Sequence, residues 1–213
     1  MSKMNLPNRL TVLRMMLVPV ILLVGFLSPK SDGSLWFYIS SAVCAIVFIV
    51  ASVTDMLDGK IARRDGLVTD FGKFMDPVAD KFMVIGALFV ILYKFPNLEW
   101  LMLATLILVV FRELAVTSMR LVVSSGSNIV VAANMLGKIK TVSQVVAIAT
   151  VLIEPVVQYV ARFVAEAILG QPLAWRTDIV PLTWITLVFS LIMTVWSGVN
   201  YIAAYWKYID ADK

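Results

Sequence analysis

The chain contains no histidine and a single cysteine, Cys44. Zinc and copper sites lean on those two side chains, so any metal held here is a hard ion bound through oxygen. One cysteine cannot form an intrachain disulfide. In the middle of an apolar run, Cys44 reads as a small buried apolar residue. Charge is scarce too: Asp, Glu, Lys and Arg make up 15% of the 213 residues, where a water-soluble domain carries about 25%. No soluble basic module stands out. The net charge of +4 therefore speaks for anionic lipid at a membrane face, and no nucleic-acid partner is expected.

Apolar residues fill the space that charge leaves. They make up 61% of the chain, against about 45–50% in an ordinary globular domain. The excess comes in runs, and Leu35–Val53 and Ile179–Trp206 hold no charged residue at all. Such runs read as transmembrane helices, and their continuity, without period-two alternation, argues against a barrel. The expected fold is all-α: a polytopic bundle of six transmembrane helices forming one domain over residues 1–213. The spans fall at about Leu10–Leu27, Leu35–Arg63, Phe71–Tyr93, Trp100–Val123, Leu136–Ile153 and Ile179–Trp206. The first is not a signal peptide, because Arg14 lies inside it and no small-residue cleavage site follows. Pro29, Pro96 and Pro155 mark helix ends. Residues 155–178, with Gln158, Arg162 and Glu166 four apart, are expected to lie along the membrane surface.

Lys and Arg set the orientation. With the N-terminus inside, 14 of the 18 basic residues fall on the cytoplasmic side, and only Lys30, Lys94, Arg162 and Arg176 fall outside. Both termini are thus expected in the cytoplasm. Phe82–Tyr93 and Trp100–Phe111 are too short to cross about 30 Å of hydrocarbon. They must be extended by helix bearing Asp76, Asp80 and Lys81, or Arg112, Glu113 and Arg120. Charge at that depth has to face a protein interior or a wet cavity. Five helices are therefore expected to line one cytoplasmic cavity, with the charge-free sixth as support.

Four aspartates dominate the cavity. Asp55 and Asp58 are three apart at the end of span two, and Asp76 and Asp80 are four apart at the start of span three. Each spacing places two carboxylates on one helix face. The short link between the spans suggests antiparallel neighbours whose four carboxylates converge. Such a cluster stays ionised only beside cations. Lys73 and Lys81 could serve, but two divalent ions, Mg²⁺ or Mn²⁺, match four carboxylates better and suit phosphoryl displacement.

The segment Asp55-x-x-Asp58-Gly59-x-x-Ala62-Arg63, then eight residues, then Gly72-x-x-x-Asp76-x-x-x-Asp80 resembles the signature of the CDP-alcohol phosphotransferase family at every fixed position. Asn5-Leu6-Pro7-Asn8-x-Leu10-Thr11-x-x-Arg14, Arg112-Glu113-Leu114 with Thr117 and Arg120, and Gly137-Lys138-x-Lys140-Thr141-x-x-Gln144 resemble the bacterial branch that uses sn-glycerol 3-phosphate as acceptor. The resemblance implies a six-helix enzyme of the bacterial inner membrane, a homodimer with two bound Mg²⁺ or Mn²⁺ ions. It would cleave CDP-diacylglycerol within the membrane lipid, facing the cytoplasm, and release CMP. On that basis Asp55, Asp58, Asp76 and Asp80 are the expected metal ligands. Asp80 is the expected base for the acceptor hydroxyl, although any of the four could take the proton. Asn8, Thr11, Asp58, Gly59, Ala62, Arg63 and Gly72 would bind the CDP-lipid; Asn8 and Thr11 also read as caps of the first span. Arg112, Arg120, Lys138 and Lys140 would bind the acceptor phosphate, or anchor the helices at the lipid surface. Serine, inositol phosphate or phosphatidylglycerol are alternative acceptors, serine being the least suited to a basic pocket. A divalent-cation transporter is a distant alternative. It fits poorly because the acids lie at one membrane side and no internal repeat is visible.

Overall fold

The computed structural model describes residues 5–31, 33–64, 69–127, 135–170 and 181–206; the side chains of 58, 60–64 and 124–127 lie outside the described set. Six helices account for nearly all of it: α1 (Leu6–Leu27), α2 (Leu35–Arg64), α3 (Asp70–Lys94), α4 (Glu99–Ser127), α5 (Met135–Leu169) and α6 (Pro181–Tyr205). A 3₁₀ turn, Pro96–Leu98, joins α3 to α4. No strand occurs among the described residues.

Local chemistry starts and stops these helices. The Asn5 side chain accepts from the Asn8 amide at 3.1 Å and caps α1, with Pro7 just inside the first turn. Thr69 Oγ1 accepts from the Gly72 amide at 3.1 Å and caps α3. Glu154 of α5 reaches the first amides of α6, accepting from Leu182 N at 3.2 Å and Thr183 N at 2.7 Å. A carboxylate there satisfies orphan donors and complements the helix dipole.

The bundle turns soluble-protein logic inside out. Large apolar side chains such as Met16, Leu23, Ile46, Ile107, Phe111, Ile185 and Trp196 cover its outside, whereas Arg14, Lys94, Lys140 and Gln144 are buried. That distribution belongs to a multi-pass membrane protein. Among the described residues five helices are long and apolar enough to cross a membrane; α3 is not among them. Its first half carries Asp70, Lys73, Asp76, Asp80 and Lys81. Its second half is enclosed by other helices, with Met83, Ala87, Leu88, Val90 and Ile91 buried.

Two expectations are corrected. First, α2 and α3 are not close neighbours: α1 packs extensively against both, and they touch each other little. Glycines permit this. A Cβ on Gly25 would lie 2.4 Å from Val90, and one on Gly86 would lie 3.1 Å from Val18, so α1 and α3 approach through bare backbone. Second, α5 does not end at Pro155 but continues through it to Leu169, so no separate surface helix begins there. One proline forfeits one backbone hydrogen bond, which a well-packed membrane helix tolerates. At 1.5 Å per residue the 35-residue helix is about 50 Å long, well beyond about 30 Å of hydrocarbon.

Candidate active site

One face of α1 builds the floor of the site. Asn8, Thr11 and Arg14 follow one another at three-residue intervals and are all buried. Thr11 Oγ1 lies 2.6 Å from Asp76 Oδ1 and 3.1 Å from the Pro7 carbonyl, with the shorter contact to the carboxylate. Asn8 Oδ1 accepts from Thr69 Oγ1 at 2.9 Å. Arg14 Nη1 pairs with Asp55 Oδ1 at 2.5 Å. Asn8 and Thr11 therefore bind α3 rather than capping α1, a task that falls to Asn5. Gly72 belongs to the same contact: a Cβ there would sit 3.2 Å from Asn8 Oδ1 and 3.7 Å from Asp76 Oδ2. Its bare face thus admits the Asn8 side chain.

The carboxylates share a neighbourhood. Asp55 is within electrostatic reach of Asp76 and Arg14, and Asp80 is within reach of Asp55, Arg14, Glu113 and Lys140. Gly59 lies on α2, one turn beyond Asp55. The side chains of Asp58, Ala62 and Arg63 are outside the described residues. Among the described residues no three acidic groups meet at metal-ligand distance; the fourth carboxylate of the motif, on Asp58, is not among them.

The donor chemistry nonetheless fits a hard divalent cation, because every candidate ligand is a carboxylate oxygen. The two lysines that might have neutralised the cluster are engaged elsewhere. Lys73 pairs with the exposed Asp70 at 3.0 Å, and Lys81 donates to Thr117 on α4 at 2.6 Å.

A second cluster adjoins the first. Glu113 Oε1 accepts from Arg112 Nη1 at 2.8 Å and from Lys140 Nζ. Arg112 Nη2 donates to Ser197 Oγ on α6 at 3.1 Å. The other two predicted cations do not join this group. Arg120 is exposed and its Nε stands 3.5 Å from the Tyr201 hydroxyl. Lys138 is exposed and lines an outer groove between α5 and α6 with Ile139, Val142 and Phe189. Two residues span about 200° around a helix, so Lys138 and Lys140 cannot share a face.

Sequence reasoning missed the part played by α6. Ser190, Thr194, Ser197 and Tyr201 are all buried. Ser197 contacts Arg112, and Thr194 Oγ1 accepts from Gln144 Nε2 at 3.3 Å. The signal was present as a polar stripe at three- and four-residue intervals within a span free of charge.

The chain that carries these two clusters has relatives among known proteins. The family model for CDP-alcohol phosphatidyltransferase matches residues 4–196. The chain belongs to the CDP-alcohol phosphatidyltransferase family. The match runs from the start of α1 into the second half of α6 and includes both clusters. The chain is similar to the CDP-diacylglycerol–glycerol-3-phosphate 3-phosphatidyltransferase of Bacillus subtilis (strain 168), with 42% identity over 154 residues, 70% of this chain and 77% of that protein. It is 32% identical over 208 residues to the protein of the same name from Yersinia enterocolitica, covering 96% of this chain and 97% of the relative. A third protein of that name, from Wigglesworthia glossinidia brevipalpis, is 36% identical over 151 residues, 70% of this chain and 78% of the relative.

Proposed function

We propose that this phosphatidyltransferase moves the phosphatidyl group of CDP-diacylglycerol onto sn-glycerol 3-phosphate, giving phosphatidylglycerophosphate and CMP. The observation that carries the reading is the convergence of Arg112 and Lys140 on Glu113, within electrostatic reach of Asp80 through Glu113 and Lys140. A candidate base for the acceptor hydroxyl and cations suited to the acceptor's own phosphate thus share one region of the bundle. The names of the three relatives support it.

The bond changes are those of one in-line displacement. The acceptor hydroxyl oxygen bonds to the lipid-linked phosphorus, the bond from that phosphorus to the CMP oxygen breaks, and the acceptor proton passes to Asp80. Asp55, Asp58, Asp76 and Asp80 would hold two divalent ions, Mg²⁺ or Mn²⁺, which when bound would offset the charge of the diphosphate and the departing CMP. Arg14 and Thr11 hold Asp55 and Asp76 in orientation. Asn8, Gly59, Ala62, Arg63 and Gly72 would flank the CDP moiety. Arg112 and Lys140 take the acceptor phosphate, with Arg120 and Lys138 farther out as surface anchors. The Lys and Arg distribution supports a site facing the cytoplasm in the inner membrane of a bacterium, with both termini inside. A homodimer is proposed on the family resemblance.

The deciding experiment measures CMP release by the detergent-purified chain from CDP-diacylglycerol, with Mg²⁺, Mn²⁺ or chelator. The acceptor panel is glycerol 3-phosphate, inositol phosphate, serine and phosphatidylglycerol. Metal-dependent release with glycerol 3-phosphate alone is expected. Preference for another acceptor would overturn the assignment of Arg112 and Lys140, and metal flux into sealed vesicles without CDP-lipid would overturn the enzyme reading.

A further inference from the structure

The proposed mechanism leaves Glu113 without a task, although it sits at the centre of the basic cluster. Its side chain is 18% exposed, and it lies between an arginine 14% exposed and a lysine 5% exposed. A desolvated arginine and lysine side by side would repel each other and lose hydration. The shared carboxylate offsets both penalties and draws the two cationic heads onto one oxygen, Oε1. A phosphate oxygen bridged by an arginine and a lysine asks for the same convergence.

The third wall comes from α6. Ser197 Oγ takes Arg112 Nη2 at 3.1 Å. One residue on, a Cβ added to Gly198 would stand 3.2 Å from Arg112 Cγ. That separation is tighter than ordinary van der Waals contact, so the arginine stem lies directly on the Gly198 backbone. The guanidinium is thus held at its head by Glu113 and Ser197 and along its stem by a glycine.

We infer that Glu113 is a positioning residue for the acceptor. It keeps Arg112 and Lys140 converged, and Ser197 and Gly198 fix Arg112 from behind, so that the acceptor phosphate meets a preformed pair of cations. This inference rests on the proposed transferase reading and deepens it. In this role Glu113 acts through the two cations and not on the reacting phosphorus or the acceptor hydroxyl. Preorganisation of this kind lowers the ordering cost of binding, so its loss falls mainly on acceptor affinity.

The test compares wild type with Glu113→Gln, Glu113→Asp and Gly198→Ala in purified full-length protein, each checked for monodispersity and thermal stability. For Glu113→Gln the KM for glycerol 3-phosphate is expected to rise about tenfold or more, with kcat within about threefold and the KM for CDP-diacylglycerol unchanged. Glu113→Asp should recover part of the loss. Glycerol at high concentration, an acceptor with no phosphate to bind, should react equally well with wild type and Glu113→Gln. Gly198→Ala leaves Glu113 in place and should raise the same KM by pushing on Arg112; if Glu113→Gln does not fold, Glu113→Asp carries the test, its carboxylate withdrawn by one methylene and its KM for glycerol 3-phosphate alone expected to rise. A normal KM for glycerol 3-phosphate in a folded variant, or an equal loss with glycerol, would overturn the inference while the transferase reading stands. A wild type that ignores glycerol 3-phosphate would overturn both.

Discussion

Arg14 of α1 and Asp55 of α2 form an ion pair with 2.5 Å between Nη1 and Oδ1, and the arginine is 1% exposed while the aspartate is 38% exposed. A cation that deep in a membrane bundle is stable only when paired, and the pair fixes the Asp55 carboxylate toward the site. Removing the arginine should therefore both destabilise and disable the protein. Breaking a buried pair costs about 3–5 kcal/mol, and the partial exposure of Asp55 puts Arg14→Gln at about 3 kcal/mol or below. Thermal unfolding in detergent would measure this. CMP release should fall by about tenfold or more, because each 1.4 kcal/mol of lost carboxylate orientation is a factor of ten. Arg14→Lys keeps the charge without the planar fork and should fall between. Wild-type turnover in Arg14→Gln would remove Arg14 from the site.

Thr11 does for α3 what Arg14 does for α2. Its hydroxyl lies 2.6 Å from Asp76 Oδ1, and a hydrogen bond to a charged group contributes about 1.5–3 kcal/mol. Thr11→Val keeps the shape and removes the donor. Turnover is expected to drop by about tenfold, and Thr11→Ser should stay near wild type. Equal activity in the valine and serine variants would show that the hydroxyl is idle.

Much of this arrangement was legible in the sequence. The apolar runs showed the helices, and the four-residue spacing of Asp76 and Asp80 put both one turn apart at the start of α3, while the Asp58 side chain lies outside the described residues. What stayed hidden depends on how helices meet. A short link between α2 and α3 suggests neighbours, but Gly25 and Gly86 bring α1 onto α3 instead. Helix periodicity alone places Lys73 and Lys81 near the acids. Their side chains turn to Asp70 and Thr117, which only tertiary contacts reveal. The continuation of α5 through Pro155 was hidden because a proline rule learned in water weakens inside a packed membrane helix. Ser197 was overlooked because charge served as the only marker of function in α6.

Charge balance predicts a metal requirement. With Lys73 and Lys81 engaged elsewhere, Arg14 is, among the described residues, the basic residue that pairs with an aspartate of the cluster, and the proposed divalent ions would offset the remaining charge. CMP release should vanish in chelator and return with Mg²⁺ or Mn²⁺. Asp76→Asn should lower turnover by about a hundredfold or more, the order expected when a metal's stabilisation of developing charge is lost, and it should weaken Mn²⁺ binding measured by paramagnetic resonance. The fold should survive, since an asparagine Oδ1 can still accept from Thr11. Near-normal activity in Asp76→Asn would sink the two-metal site.

The α1–α3 contact makes a stability prediction independent of chemistry. A Cβ on Gly25 would meet Val90 Cγ1 at 2.4 Å and Cγ2 at 2.7 Å, distances real atoms do not adopt. Gly25→Ala should cost about 1–3 kcal/mol by overpacking and lower the Tm. Among the described residues nothing lies within 4 Å of the Cβ position of Gly137, in α5. There alanine should gain about 0.5–1 kcal/mol from helix propensity. A Gly25→Ala variant as stable as wild type would mean that α1 and α3 sit farther apart than described.

Lys138 and Lys140 separate the proposed acceptor site from the outer surface of the bundle. Both follow Gly137 in a basic stretch that reads as one patch in sequence, but the helix sends them to opposite sides. Lys140 is buried against Glu113. Lys138 opens onto an outer groove of about 440 Å³ between α5 and α6, lined also by Ile185 and Phe189. A lysine there extends its stem along apolar surface and its ammonium toward water or lipid headgroups. Lys140→Gln should therefore raise the KM for glycerol 3-phosphate by about tenfold or more, the order expected when one partner of a desolvated charge pair is lost. Lys138→Gln should change it by about twofold at most, as for an exposed charge. Steady-state kinetics with acceptor varied at saturating CDP-diacylglycerol would separate the two. A larger effect at Lys138 would move the acceptor phosphate to the outer groove and leave the Arg112–Glu113–Lys140 group a purely structural network.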